Sequence, residues 1–141
     1  MQKSHLPEAC CAAVLSLLVL DTLWLTLGGT GKGFMDVASG IGHIRPWSSW
    51  QKLAFAGGAY VLLAVALCCV LSLDRGIGRT LLAGLVAGLV IYGVFDLTNL
   101  VVFGRGYSLG LAISDVCWGT FVMGTSAAVG ALLRERLRVN C

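Results

Sequence analysis

The chain has 141 residues, of which 57% are hydrophobic and 12% charged, with a mean hydropathy of +0.88 and a formal net charge of +3. An ordinary water-soluble domain carries about a quarter charged residues, so this composition excludes one. Four spans of about 20 residues each would use most of the length and leave no room for a soluble catalytic domain. No basic run is long enough to follow a phosphate backbone, which argues against nucleic acid as a partner.

Apolar runs predict membrane spans over 9–29, 53–73, 80–103 and 109–133. The first run follows Lys3 as a signal peptide would, but it continues through Asp21 and Trp24 without a small-residue cleavage site and reads as a retained helix. None of the runs alternates apolar and polar residues as barrel strands do, and helices satisfy their own backbone in lipid. The expected fold is therefore all-α, a polytopic four-helix bundle forming a single membrane domain, 1–141, with both termini on the same side. Lys3, Arg75, Arg79, Arg134, Arg136 and Arg138 fall on the side of the termini, against Lys32, Arg45, Lys52 and Arg105 on the other. That bias places the termini on the cytoplasmic or equivalent side.

The long connection 30–52 carries Phe34, Met35, Ile41, His43, Arg45, Trp47 and Trp50, a mixture suited to the bilayer interface. A lid over the bundle is the alternative reading. The six cysteines, Cys10, Cys11, Cys68, Cys69, Cys117 and Cys141, contain no CxxC and read as small packing residues.

Three spans each carry one aspartate: Asp21, Asp96 and Asp115. An acid at the middle of a membrane helix costs about 2.5–3.5 kcal/mol even on insertion scales, so three of them require a reason. Counting from the span ends, with the fourth helix running opposite to the third, places all three in the half of the bilayer away from the termini, where they can form one layer. On the third helix Gly84, Gly88, Tyr92, Asp96 and Asn99 share a stripe. The GxxxG pair Gly84 and Gly88 turns that stripe towards the bundle, and Gly119 adds another point of close approach. Tyr92 is then the expected hydrogen-bond donor to Asp96. Asp21 with Trp24, and Asp115 with Trp118, form two Asp-x-x-Trp pairs in which the indole offers a donor or a flat wall. The second helix, with no acid, reads as packing.

Three carboxylates in a low-dielectric layer cannot all stay charged without compensation. A proton, a bound cation, or a side chain reaching in from the same side would supply it; Arg105, Arg45 and His43 are the candidates, with Arg105 best placed. Interhelical hydrogen bonding without chemistry is the structural alternative.

Leu20-Asp21-Thr22-Leu23-Trp24-Leu25, Phe95-Asp96-Leu97-Thr98-Asn99-Leu100 and Ser114-Asp115-Val116-Cys117-Trp118-Gly119-Thr120-Phe121 together resemble the membrane protein family catalogued as domain of unknown function 2177. The resemblance covers nearly the whole chain and implies a small four-helix membrane protein with no established activity. Asp21, Trp24, Asp96, Thr98, Asn99, Asp115, Trp118 and Gly119 match its pattern. The sequence departs from it at Gly104-Arg105-Gly106-Tyr107-Ser108, where a Trp-Pro-like step is expected, and in an Arg-rich C-terminal tail.

Three functions stay open. The aspartate layer binds a proton, a cation or a polar lipid group; the chain is a non-catalytic subunit or assembly factor of a larger membrane complex; or it is a lipid-modifying enzyme. The third ranks last, because only His5 and His43 are present and no HExxH or other metal-ligand pattern occurs. No metal ligands are assigned, and the sequence leaves any cofactor unknown. Membrane lipid and a homo-oligomer or larger complex are the expected partners.

Overall fold

Inside a bilayer, backbone amides and carbonyls find no partners but one another, and each apolar run folds accordingly. The computed structural model describes residues 5–27, 33, 48–73 and 75–139. Helix α1 spans Leu6–Leu27, α2 Ser49–Ser72, α3 Ile77–Phe103 and α4 Leu109–Val139, with a short 3-10 turn at Gly104–Gly106. Among the described residues there is no strand, and all four helices are long and apolar enough to cross a membrane. The protein is an all-α, multi-pass integral membrane bundle.

Helix ends follow local chemistry that hydropathy does not register. α2 begins ahead of its apolar run because Ser48 and Gln51 form a capping box. The Gln51 amide donates to Ser48 Oγ at 3.3 Å, and the Ser48 amide donates to Gln51 Oε1 at 2.9 Å. α3 stops at Gly104, whose φ of +52° suits a residue without Cβ. Ser108 then accepts the Leu111 amide at 3.1 Å and starts α4. That last helix continues to Val139, so the arginines expected in a tail belong to it, and Arg134 is buried. The Arg134 guanidinium donates from Nη1 to the Leu71 carbonyl at 2.9 Å. This bond ties α4 to α2 and meets one of the carbonyls that the end of α2 leaves without a helical partner.

Most of connection 30–52, including His43 and Arg45, lies outside the described residues.

Missing side chains set the closest packing. A Cβ added at Gly84 of α3 would stand 2.8 Å from the Met123 carbonyl oxygen and 2.9 Å from Gly124 Cα of α4. At Gly88 it would strike the Gly119 carbonyl and lie 2.8 Å from Thr120 Cα. α1 approaches α4 in the same way, since a Cβ at Gly130 would be 2.7 Å from the Ala9 carbonyl oxygen. Leu17, Leu67, Val122 and Met123 fill the core between these contacts. α2 packs more loosely, and Val61, Leu62 and Val65 on its outer side are exposed, as suits contact with lipid tails.

Replacing Gly88 by Ala forces two backbones apart and should lower stability by about 1–3 kcal/mol. Gly93→Ala, on the same helix with nothing within 4 Å of its added Cβ, should leave thermal unfolding in mild detergent unchanged or slightly raised, since Ala favours a helix interior by about 0.5–1 kcal/mol. Equal effects would contradict the α3–α4 packing. The Cys10 and Cys68 thiols approach each other between α1 and α2. With the other four cysteines changed to Ser, mild oxidation should join these two, read by mass spectrometry of linked peptides.

Candidate functional site

Helix geometry alone sets the depth of the three acids. Asp21, Asp96 and Asp115 lie six or seven residues from Leu27, Phe103 and Leu109, which is about 9–10 Å at about 1.5 Å per residue. All three are buried, at 8%, 1% and 6% exposure. Each stands near another acid: Asp115 interacts with both Asp96 and Asp21. No three His, Cys, Asp or Glu side chains among the described residues come close enough to share one metal ion. The acids therefore form a row with Asp115 in the middle, not a cage.

The donors that meet these acceptors come from neighbouring elements. Asp21 receives two: the Tyr60 hydroxyl of α2 at 2.6 Å from Oδ2, and the Trp118 indole N–H of α4 at 3.2 Å from Oδ1. Asp96 Oδ1 receives the Tyr107 hydroxyl from the turn after α3. Burial and then the contact with Asp96 hold the Tyr107 phenol above its ordinary range, so it keeps its proton and stays a donor. Asn99 also lies within reach of that hydroxyl. Asp96 Oδ2 is buried with no donor, while the Asp115 carboxyl stands within hydrogen-bonding reach of Asp96. Two carboxyls thus meet, a contact that needs a proton on one of them or a donor between them.

Several of the expected pairings are exchanged. Tyr92 lies flat against Gly119, where a Cβ would run into its ring, and Tyr107 takes the donor role towards Asp96 expected of Tyr92. Neither Asp-x-x-Trp pair bonds within its own helix among the described residues. Trp118 of α4 donates to Asp21 of α1, and Trp24 of α1 stacks on Trp118 with centroids 4.7 Å apart and planes 10° from parallel. The Trp24 N–H is buried and meets no acceptor among the described residues. Thr98 is exposed on α3, away from the row. The side chain of Arg105, like His43 and Arg45, lies outside the described residues.

Tyr60 and Tyr107 escaped the sequence reading. Tyr60 interrupts a stripe of small residues that reads as packing, and Tyr107 sits in a connection. In each case the only signal is a tyrosine within or beside an apolar segment, where its hydroxyl needs a partner.

A cleft of about 560 Å³ opens between α2 and α3. Its walls are Ala56, Ala59, Leu62, Leu63, Ile91 and Phe95, and its inner end holds Asp21 and Asp115 with Tyr60 and Tyr92. Asp96 lies behind, outside the lining. The cleft therefore runs from apolar walls to an acceptor-rich floor.

Tyr107→Phe leaves Asp96 without its hydroxyl donor and should cost about 1–3 kcal/mol of stability. Thr98→Ala should stay within about 0.5 kcal/mol. Thermal unfolding of both variants in the same detergent compares them, and equal losses would contradict the assignment of Tyr107.

No curated protein and no solved structure matches the chain. The match that exists is to a family described as predicted membrane protein, domain of unknown function 2177, and it runs over residues 8–132. That stretch takes in all three acids, Trp24, Trp118, Tyr60 and Tyr107, and the protein belongs to this family of membrane proteins.

Proposed function

We propose that the protein is a membrane-embedded binding protein that takes the cationic head of an amphiphile at Asp21 and Asp115, admitted sideways from the bilayer between α2 and α3. The observation that carries this reading is the cleft itself, whose apolar walls lead to a floor of two carboxylates. A ligand that suits it has a hydrocarbon part and a polar end that donates.

The balance of donors and acceptors gives the sign of that end. Asp21 and Asp96 take hydrogen bonds from Tyr60, Trp118 and Tyr107, all neutral donors among the described residues. Asp115, in the middle of the row and open to the cleft, is the carboxylate left for a ligand. An ammonium group brings positive charge and up to three N–H donors. The faces of Tyr60 and Tyr92 favour a cation as well. A neutral alcohol of the same length brings one donor and no charge, so the site discriminates between the two.

The test uses the full-length protein in phosphatidylcholine nanodiscs, with Trp47 and Trp50 changed to Phe so that Trp24 and Trp118 report. A long-chain primary amine spin-labelled near its head should quench this fluorescence saturably, and the matching alcohol should need at least tenfold more. Asp115→Asn should shift the amine curve by roughly tenfold, since a hydrogen bond to a charged group contributes about 1.5–3 kcal/mol, and should leave the alcohol curve in place. Equal quenching by both ligands, or an unshifted amine curve in an Asp21→Asn, Asp115→Asn protein, would overturn the proposal.

A further inference from the structure

The opposite end of the bundle carries charge of the other sign. Arg75 and Arg79 stand exposed at the mouth of a groove of about 730 Å³ on the outer face of α3. Below them the groove is lined by Leu82, Ala83, Val86, Ala87, Val90 and Ile91. The fourfold spacing keeps these residues on one side of the helix, while Gly84 and Gly88 face α4. Ala83 and Ala87 are half-buried between the exposed Leu82, Val86 and Val90. Small residues flanked by larger ones make the channel.

Its dimensions are those of one leaflet. From Arg79 to Ile91 the helix rises about 18 Å at about 1.5 Å per residue, slightly more than half of a hydrocarbon core about 30 Å thick. The volume lies within the range of roughly 300–1,000 Å³ usual for small-molecule sites. Arg75 also borders a smaller recess of about 80 Å³ with Thr80, Arg134, Glu135 and Arg138. At this end the described side chains of Arg75, Arg79, Arg134, Arg136 and Arg138 outnumber those of Glu8 and Glu135. The first turn of α3 adds the positive pole of its helix dipole.

We propose that this groove binds one anionic phospholipid, with its phosphate between Arg75 and Arg79 and one acyl chain along α3 as far as Ile91. A zwitterionic lipid fits less well, because its own ammonium group would meet the same arginines. A second copy of the chain fits less well too. A two-fold contact would set the arginines of one copy near those of the other, with like charges opposed. The site is separate from the acidic cleft and does not depend on the function proposed for it.

Native mass spectrometry of the full-length protein, released from detergent with phosphatidylglycerol or phosphatidylcholine of identical chains, tests the inference. One phosphatidylglycerol should be retained in preference to phosphatidylcholine. Arg75→Gln with Arg79→Gln should reduce that preference roughly fivefold or more, on a scale of about 1 kcal/mol per basic residue at a membrane surface. Lys52→Gln, in the first turn of α2, removes a positive charge at the other end of the bundle and should keep it. Ala83→Leu with Ala87→Leu fills the channel and should weaken retention of both lipids while leaving α4 contacts intact. Equal retention of the two lipids, persistence of the preference in the Arg75, Arg79 variant, or its loss in the lysine control would overturn the proposal. So would full competition by inorganic phosphate, which would make the site one for a free anion, or a stable dimer joined through α3.

Discussion

A carboxylate placed in hydrocarbon demands a donor, and the arrangement of the four helices brings three donors to two of its three acids. The cost of one intramembrane acid, about 2.5–3.5 kcal/mol on insertion scales, is comparable with the effect of overfilling a packed contact. Asp21 is met from α2 and α4 at once, through Tyr60 and Trp118. Those two bonds link three helices at one depth. Asp96 is met by Tyr107, which fixes the turn between α3 and α4 against the helix it leaves. The polar row thus acts on topology as well as on chemistry, because each bond joins segments that apolar packing would hold without preference for register.

Glycine determines where those bonds can form. Close contact at Gly84, Gly88 and Gly119 brings α3 and α4 together until Tyr92 lies on bare backbone, and this leaves Asp96 and Asp115 side by side. α2 has no equivalent. Nothing lies within 4 Å of a Cβ added at Gly57 or Gly58, and α2 is held mainly by Tyr60 at its middle and by Arg134 and the Leu67 and Leu71 packing towards its C-terminal end. A helix held from its middle onward and loose before it leaves a lateral opening beside Ala56 and Ala59. The cleft against α3 follows from that unequal packing.

Much of this was legible in the chain, for reasons that are themselves physical. Acids inside apolar runs stand out because their cost has to be met, and a GxxxG pair marks a face because small residues have little other use in a membrane helix. The partners of the acids were less visible. Spacings of four and three residues made Tyr92 the natural donor for Asp96 and Trp24 the companion of Asp21, but a helix only offers a side chain and the neighbouring helix decides what it meets. Gly119 draws Tyr92 away, and Trp118 takes the place beside Asp21 with Trp24 stacked behind it. Hydropathy also ended α4 too soon. Arg134 lowers the apolar average, yet it is buried where it can reach the carbonyl end of α2.

Opposite charge at the two ends of one helix organises the surface presented to the bilayer. α3 carries arginines near its start and borders acids near its finish, and the spaces beside those groups run along its outer side. Ile91 lines both. A single side chain therefore separates an acceptor-rich cleft from a groove headed by cations. Whatever fills either space rests against the same isoleucine, so changes in its bulk act on both. Polar groups of opposite sign reach α3 from opposite leaflets, and their hydrocarbon parts meet near its middle.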